Sequence, residues 1–290
     1  DVALLDVASM HPTSIETLNM FGPYTKNYSD LKLGRLSIKH NDMDTLRNLL
    51  NGKLVPFIED ALSDNPRFTL KDVSNGLKTA LNSAYGLTSA SFENPFRDPR
   101  NIDNIVAKRG ALFMIDLKHA VQDRGFSVAH IKTDSIKIPN ATKEIIDFVM
   151  DFGKQYGYDF EHEATYKKMC LVNDAVYIAQ YKDGKHKDEW TATGAQFAQP
   201  YVYKTLFSKD EIIFEDMCET KAVSTALYLD FGDDDNHNYQ FVGKVGSFCP
   251  MLPGKGGGIL LREKEGKYYA AGGSKGYTWL EAENVKSLSK

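Results

Sequence analysis

Apolar residues at Leu70, Val73, Leu77, Ala80, Leu81 and Ala84 recur at three- and four-residue spacing, which predicts an amphipathic helix between Thr69 and Gly86. Thr69 with Asp72 three residues later forms a capping signature, and Gly86 reads as the stop. At about 100° per residue, Lys71, Asn75, Lys78, Asn82 and Tyr85 fall on the other side, in an arc about 80° wide and about 21 Å long. Two lysines, two amides and a phenol in a row suit a polyanion with a flat, stackable end. Taken alone, the same row is also what a solvated helix face looks like.

Around this helix the pattern alternates between short strands and amphipathic helices. Residues 2–9 read as a buried strand with Asp6 in apolar company, costly for a carboxylate unless it is paired, hydrogen-bonded or on a metal. A short helix follows from Pro12, with Thr13 and Glu16 spaced as a capping box and Gly22-Pro23 at its end. Residues 24–41 carry Lys26, Lys32, Arg35 and Lys39 among polar neighbours and read as a loop or strand pair. Leu46, Leu49 and Leu50, the break at Asn51-Gly52, and Val55, Ile58, Ala61 and Leu62 predict a helical hairpin, turned by Asp64-Asn65-Pro66. A polar loop (87–101) leads to a long helix from Ile102 to Val121, closed by Gly125. Residues 127–138 read as a tight hairpin with Thr133-Asp134 at its tip, and Ile145 to Tyr156 as a further helix. Met169 to Ile178 predicts a hairpin about Asn173-Asp174, Lys182 to Lys185 a turn, and Ser208 with Glu211 the cap of a helix through Met217. Runs at Tyr239–Val245, Ile259–Arg262, Tyr268–Ala271 and Tyr277–Leu280 predict a small β region. Gly254 to Gly258 lacks the Walker spacing and reads as a hairpin turn, and Asp233-Asp234-Asp235 as a solvated loop rather than a metal cluster.

Composition narrows the function classes. A chain of 290 residues that is 42% hydrophobic can bury two or three subdomain cores. No apolar run approaches the roughly 20 residues needed to span a bilayer, so no membrane partner is expected. The net charge of −4 gives no overall attraction to nucleic acid, so any such site must be local. Cys170, Cys218 and Cys249 lack metal-type spacing and suit a reducing cytoplasm. The chain opens at Asp1 in mid-strand and reads as the C-terminal portion of something longer.

Asp6 at a strand end, Asp134 at a hairpin tip and the basic, amide-rich helix together fit phosphoryl transfer. Two carboxylates can hold a pair of divalent ions about 3.5–4 Å apart while lysines hold the phosphates. The local sequences are more specific. Asp6-Val-Ala-Ser-Met-His-Pro-Thr-Ser-Ile15 resembles the first polymerase motif of the B-family DNA polymerases, Asp-x-x-Ser-Leu-Tyr-Pro-Ser. Lys78-Thr-Ala-Leu-Asn-Ser-Ala-Tyr-Gly86 resembles their second, and Lys132-Thr-Asp-Ser135 their third, Asp-Thr-Asp-Ser. The three stand in the family's order. Glu163-Ala-Thr-Tyr166 and Leu171 through Tyr177 are similar to the family's primer-strand segment, and the resemblance covers residues 1 to about 200.

The resemblance implies an α+β fold with a polymerase palm built on an antiparallel sheet, helical fingers, and a C-terminal thumb with a β-rich tail. Residues 1–41 and 87–180 would form the palm, 42–86 the fingers and 181–290 the thumb and β-rich region. It implies a template-dependent DNA polymerase adding dNTPs to a DNA primer 3′-OH by a two-metal mechanism, with two Mg2+ ions and Mn2+ as a substitute. Asp6 and Asp134 would ligate both ions with the Val7 carbonyl assisting. Lys78 and Asn82 would hold the triphosphate, Tyr85 would lie beneath the nascent pair, and Gly86 would let the template approach. Lys71 and Arg67 are further phosphate candidates by helix position, and the resemblance implies that Tyr177 would be a DNA contact. Partners would be primer–template, an N-terminal exonuclease portion and other replication proteins.

Departures from the family pattern are specific. His11 stands where the family's tyrosine excludes ribonucleotides, which implies weaker exclusion here. Lys132 replaces a carboxylate, so its amine is expected to point away from the ions toward a primer phosphate. Asp174-Ala-Val keeps Tyr177 but loses three basic residues, and Thr193-Gly194 lacks the lysine of a Lys-Gly pair. This pattern and the short fingers suggest a bacteriophage-type enzyme working in host cytoplasm. The alternative is a catalytically silent scaffold of the same fold that binds DNA or a replication partner.

Overall fold

The structure, a computed structural model, describes residues 1–65, 67–194, 197–233 and 235–284. Pro66 of the expected turn and Asp234 of the acidic run lie outside them. The fold is α+β, with antiparallel sheets, and the chain divides into two compact units: Asp1–Lys168 with Tyr181–Asp188, and Met169–Gln180 with Glu189 onward.

In the first unit, β1 (Val2–Val7) is flanked by β3 (Ser135–Pro139) and β4 (Phe160–Asn173), and β2 (His130–Lys132) pairs β3 on its outer side. All of these pairings in the unit are antiparallel. The alternation along β1 and β3 sends Leu5, Val7, Ile136 and Ile138 to one face, where α6 (Ile105–Gln122) and α7 (Lys143–Gln155) cover them. Phe113, Met114, Leu117, Val121, Ile145 and Val149 complete that core. Asp6 consequently emerges on the other face, beside its register partners Ser135 and Glu161.

The helical part of this unit departs from expectation at α2 (Thr25–His40), one continuous helix where a loop or strand pair was predicted. Its buried positions are mostly polar: Thr25, Ser29, Asp30, Lys32 and Ser37. Each of the first four finds a partner. Thr25 Oγ1 accepts from the Phe21 amide, Ser29 Oγ donates to the Thr25 carbonyl, and Asp30 accepts from Lys26 Nζ and the Leu50 amide. Lys32 pairs with Glu16 and lies 3.4 Å from Thr13 Oγ1. That use of Thr13 and Glu16 replaces the expected capping box, because α1 (Met10–Thr17) starts earlier, from Ser9 in a left-handed conformation, and stops well before Gly22-Pro23. Gly34 lets α2 approach its neighbour, since a Cβ there would lie 2.5 Å from Leu54 Cδ2.

The helical hairpin appears as α3 (Met43–Asn48) and α4 (Leu54–Asp64), packed through Leu46, Leu49, Leu54 and Ile58. The helix predicted from the periodicity is α5 (Leu70–Thr88), with the Thr69–Asp72 capping box formed in both directions. It runs through Gly86 rather than stopping there, since Thr88 Oγ1 bonds back to the Tyr85 carbonyl and is met by Asn101 Nδ2. Leu81 packs with Ile15, Met20, Tyr28 and Val106, and the Tyr28 hydroxyl donates to the Leu81 carbonyl at 3.1 Å.

In the second unit the distal part of β4 accompanies β5 (Val176–Tyr181), and β6 (Trp190–Ala192) pairs β5. A five-stranded antiparallel sheet follows in the order β10-β9-β7-β8-β11, from β7 (Glu219–Asp230), β8 (Tyr239–Met251), β9 (Ile259–Lys264), β10 (Lys267–Ala270) and β11 (Thr278–Glu281). Leu227, Leu229, Phe248, Leu260 and Trp279 form its core. Ser208 and Glu211 do not cap a helix; a short turn at Phe214–Met217 is held by Asp216, which accepts from the Ile213 amide and from Lys204 Nζ, both at 2.8 Å. The Gly254–Gly258 segment is not a hairpin turn, because β7 lies between β8 and β9. Gly258 is needed there for close approach, its Cβ position lying 2.8 Å from the Asp230 carbonyl oxygen.

Candidate active site

The hairpin joining β2 to β3 turns at Thr133, whose φ of 52° is left-handed, and presents Asp134 at its tip. The Val7 amide donates to the Asp134 carbonyl at 2.9 Å, which pins that tip to the end of β1 where Asp6 stands. Backbone pairing alone therefore brings together two aspartates 128 positions apart in the sequence. Beyond Val7 the chain is fixed by the Ala8 amide on the Asp159 carbonyl, 2.8 Å, and by Arg35, whose Nη1 donates to Ser9 Oγ at 2.6 Å.

These segments enclose a cavity of about 250 Å3. Asp6, Glu161 and Glu163 on the strands and Asp134 at the hairpin tip give it an acidic floor, while Arg35 and Lys39 from α2 and Lys78 and Asn82 from α5 give it a basic, amide-bearing wall. Val7 and His11 also line it. The His11 ring stacks on Tyr85 with centroids 4.5 Å apart and planes 13° from parallel, and the Tyr85 hydroxyl donates to Asn104 Oδ1 at 3.1 Å. Burial pulls the His11 pKa below its ordinary value despite the opposing charge of Asp134. Its Nδ1 is buried and has no hydrogen-bond partner among the described residues.

The floor is electrostatically loaded. Burial, then Asp134, Glu163 and Glu161, push the Asp6 carboxyl up to about 7, with Lys137 opposing. Lys137 is 1% exposed, and burial brings its pKa down to about 8 against the pull of Asp6, Asp134 and Glu163. Burial also works on Glu161, but its ion pair with Lys39 and its contact with His40 outweigh it and hold that carboxyl below the usual range. Among the described residues no three His, Cys, Asp or Glu side chains form a ready-made metal cage. Two mutually repelling carboxylates in a shared cavity nonetheless fit magnesium, which commonly takes one or two carboxylates and completes its shell with water and substrate phosphate.

Of the residues singled out by sequence, Asp6, Val7, His11, Lys78, Asn82 and Asp134 meet at this cavity, with Tyr85 against His11. Lys71 and Arg67 are exposed near the start of α5 and do not line it, nor does Gly86 or the exposed Lys132. Tyr177 is buried in the second unit, where its amide donates to Thr193 Oγ1. Arg35, Lys39, Glu161 and Glu163 line the cavity without being expected there, and the charge of the buried Lys137 that acts on Asp6 was not expected either. The four-residue spacing of Arg35 and Lys39 was the available signal, but it marks a shared face only once residues 24–41 are read as a helix.

Searches against family models and curated proteins find no match. Among solved structures, the chain is similar to the family B DNA polymerase from the hyperthermophilic archaeon Pyrobaculum calidifontis, with a TM-score of 0.47 and 13% identity. The match covers 100% of this chain and 42% of that one, so this chain spans less than half of that polymerase, and the likeness is a weak one in fold.

Proposed function

We propose that this chain is the polymerase portion of a template-dependent DNA polymerase, a B-family-type nucleotidyltransferase that extends a DNA primer with dNTPs. One observation carries the reading: residues from three separate motifs line one cavity whose floor is acidic and whose wall is basic. That division suits a substrate polyanion that arrives with divalent cations. Asp6 and Asp134, with the Val7 carbonyl, are the groups to hold two magnesium ions, and manganese would serve in their place. Bound there, the ions would supply charge stabilisation for the attacking and leaving oxygens.

The protein's own groups have distinct tasks. Lys78, Asn82 and Arg35 hold the triphosphate by charge-assisted hydrogen bonds and orient it before reaction. The His11–Tyr85 stack offers a flat surface at the edge of the cavity, against which the sugar and the nascent base pair can rest. Primer–template DNA and dNTPs are the partners, with an exonuclease portion and other replication proteins as further ones, in a cytoplasm that would be the host's for a bacteriophage-type enzyme.

The test is extension of a primed template supplied with single dNTPs. Addition of only the complementary nucleotide, abolished by chelation of divalent ions, is the expected result. DNA binding without any extension would favour the silent scaffold instead. Lys78→Ala is expected to raise the KM for dNTP about 10- to 100-fold, because a charge-assisted contact contributes about 1.5–3 kcal/mol. An unchanged KM in steady-state extension would return Lys78 to the solvated face of its helix.

A further inference from the structure

The least expected charge acting on the site is that of Lys137, which does not itself line the cavity. It stands in β3 between Ile136 and Ile138, where both faces of the strand are buried, and is itself 1% exposed. A lysine is rarely buried so completely unless it is paired, and an apolar side chain would be the default at such a position. In the register of β1 and β3, Leu4 faces Lys137 and Asp6 faces Ser135, so Lys137 lies on the face of Asp6, one pleat repeat farther from the hairpin tip. Its Nζ donates to Ser135 Oγ at 3.0 Å, and Ser135 Oγ donates on to the Lys132 carbonyl at 3.2 Å. The chain of bonds thus ends on the turn that carries Asp134. The carboxylates whose charge Lys137 feels are Asp6, Asp134 and Glu163.

We propose that Lys137 is the resident cation of the acidic floor, a positioning residue that holds the Asp134 turn through Ser135 and restrains divalent-ion binding by its charge. The proposal rests on the reading of Asp6 and Asp134 as metal carboxylates. Before an ion arrives, the ammonium offsets part of the mutual repulsion of the floor, so the carboxylates stay assembled. When an ion arrives, the same ammonium repels it, which sets a higher divalent-ion demand than the carboxylates alone would. Removing the charge relieves that repulsion, so binding of a divalent ion tightens.

Binding of Mn2+ to the whole chain, without nucleotide or DNA at pH 7.5, tests this through the free-ion electron spin resonance signal. Lys137→Met and Lys137→Gln are expected to bind Mn2+ about tenfold tighter than the wild type. The glutamine form retains a donor for Ser135 and guards against misfolding in the methionine form. Lys137→Arg keeps the charge and is expected to stay within about twofold. The magnesium concentration for half-maximal extension should fall in the same order. Unchanged Mn2+ affinity in both neutral variants, with native circular dichroism, would overturn the proposal, as would equal tightening in the arginine form. Asp134→Asn separates the underlying reading: if it leaves Mn2+ affinity unchanged, the metal site itself is misassigned and the role of Lys137 falls with it. If it weakens binding while the Lys137 variants do nothing, only the role of Lys137 fails.

Discussion

Asp134→Ala is expected to reduce primer extension by three or more orders of magnitude, about 4 kcal/mol in the barrier, while primer–template affinity changes only a few-fold. The expectation follows from how the residue is held. Asp134 is fixed by its main chain, through the Val7 amide on its carbonyl, so truncating the side chain leaves the hairpin and its junction with β1 intact. What disappears is one of the two carboxylates that would carry the ions, a contact made with the reacting atoms and not with the bulk of the DNA. Affinity for a duplex depends mainly on phosphate contacts by cationic groups, which this change does not touch. Asp6→Ala should behave alike in turnover. Single-turnover extension together with fluorescence anisotropy of a labelled primer–template measures both quantities. Near-normal turnover by Asp134→Ala would remove the enzyme reading, whereas binding lost in step with activity would point to misfolding.

The parts of the fold legible in the sequence are those whose signal is local. Thr69 and Asp72 announce the start of α5 because a capping box lies within four residues, and the apolar stripe Leu81, Ala84 and Val73 follows one helical face. The tight hairpin bearing Asp134 is legible for the same reason. Helix α2 is not, because it buries Thr25, Ser29, Asp30, Lys32 and Ser37, so the hydrophobic period that marks a buried face is missing. The first four are accommodated by hydrogen bonds and ion pairs, several to residues distant in sequence such as Glu16 and Leu50. In β7 the register shifts between Ala222 and Leu227, which disturbs the two-residue alternation that would have announced a long strand. Ile136-Lys137-Ile138 reads as apolar inward and polar outward, yet here both sides are covered. Likewise nothing local indicates that Lys39 and His40 meet Glu161 across 121 or more positions, so the charge balance of the floor becomes visible only in three dimensions.

That balance carries a cost in stability, and Asp6→Asn should reveal it in protein freed of divalent ions. The Asp6 carboxyl has a pKa of about 7 in the folded chain against 3.8 for an unperturbed one, so the folded state holds its proton more tightly than the unfolded state does. Its favourable contribution is therefore complete below about pH 4 and is lost as pH rises toward 7. The full difference corresponds to about 4 kcal/mol, a ceiling that residual solvent contact at the site lowers. Lys137 acts in a different window. With a folded pKa of about 8 against 10.5, it is the unfolded chain that holds the proton more tightly, so stability should rise again as pH goes from about 8 to 10.5. Metal-free wild type should thus be least stable between about pH 7 and 8, where Asp6 is ionised and Lys137 still charged. An amide cannot ionise, so the Asp6→Asn variant should keep its low-pH stability into that range and melt several degrees above the wild type at pH 7.5. Its advantage should vanish near pH 4, where the wild-type carboxyl is protonated as well. Thermal melts of both proteins in chelator from pH 4 to 8 make the comparison, and superimposable curves would mean that Asp6 is not held against the other carboxylates of the floor.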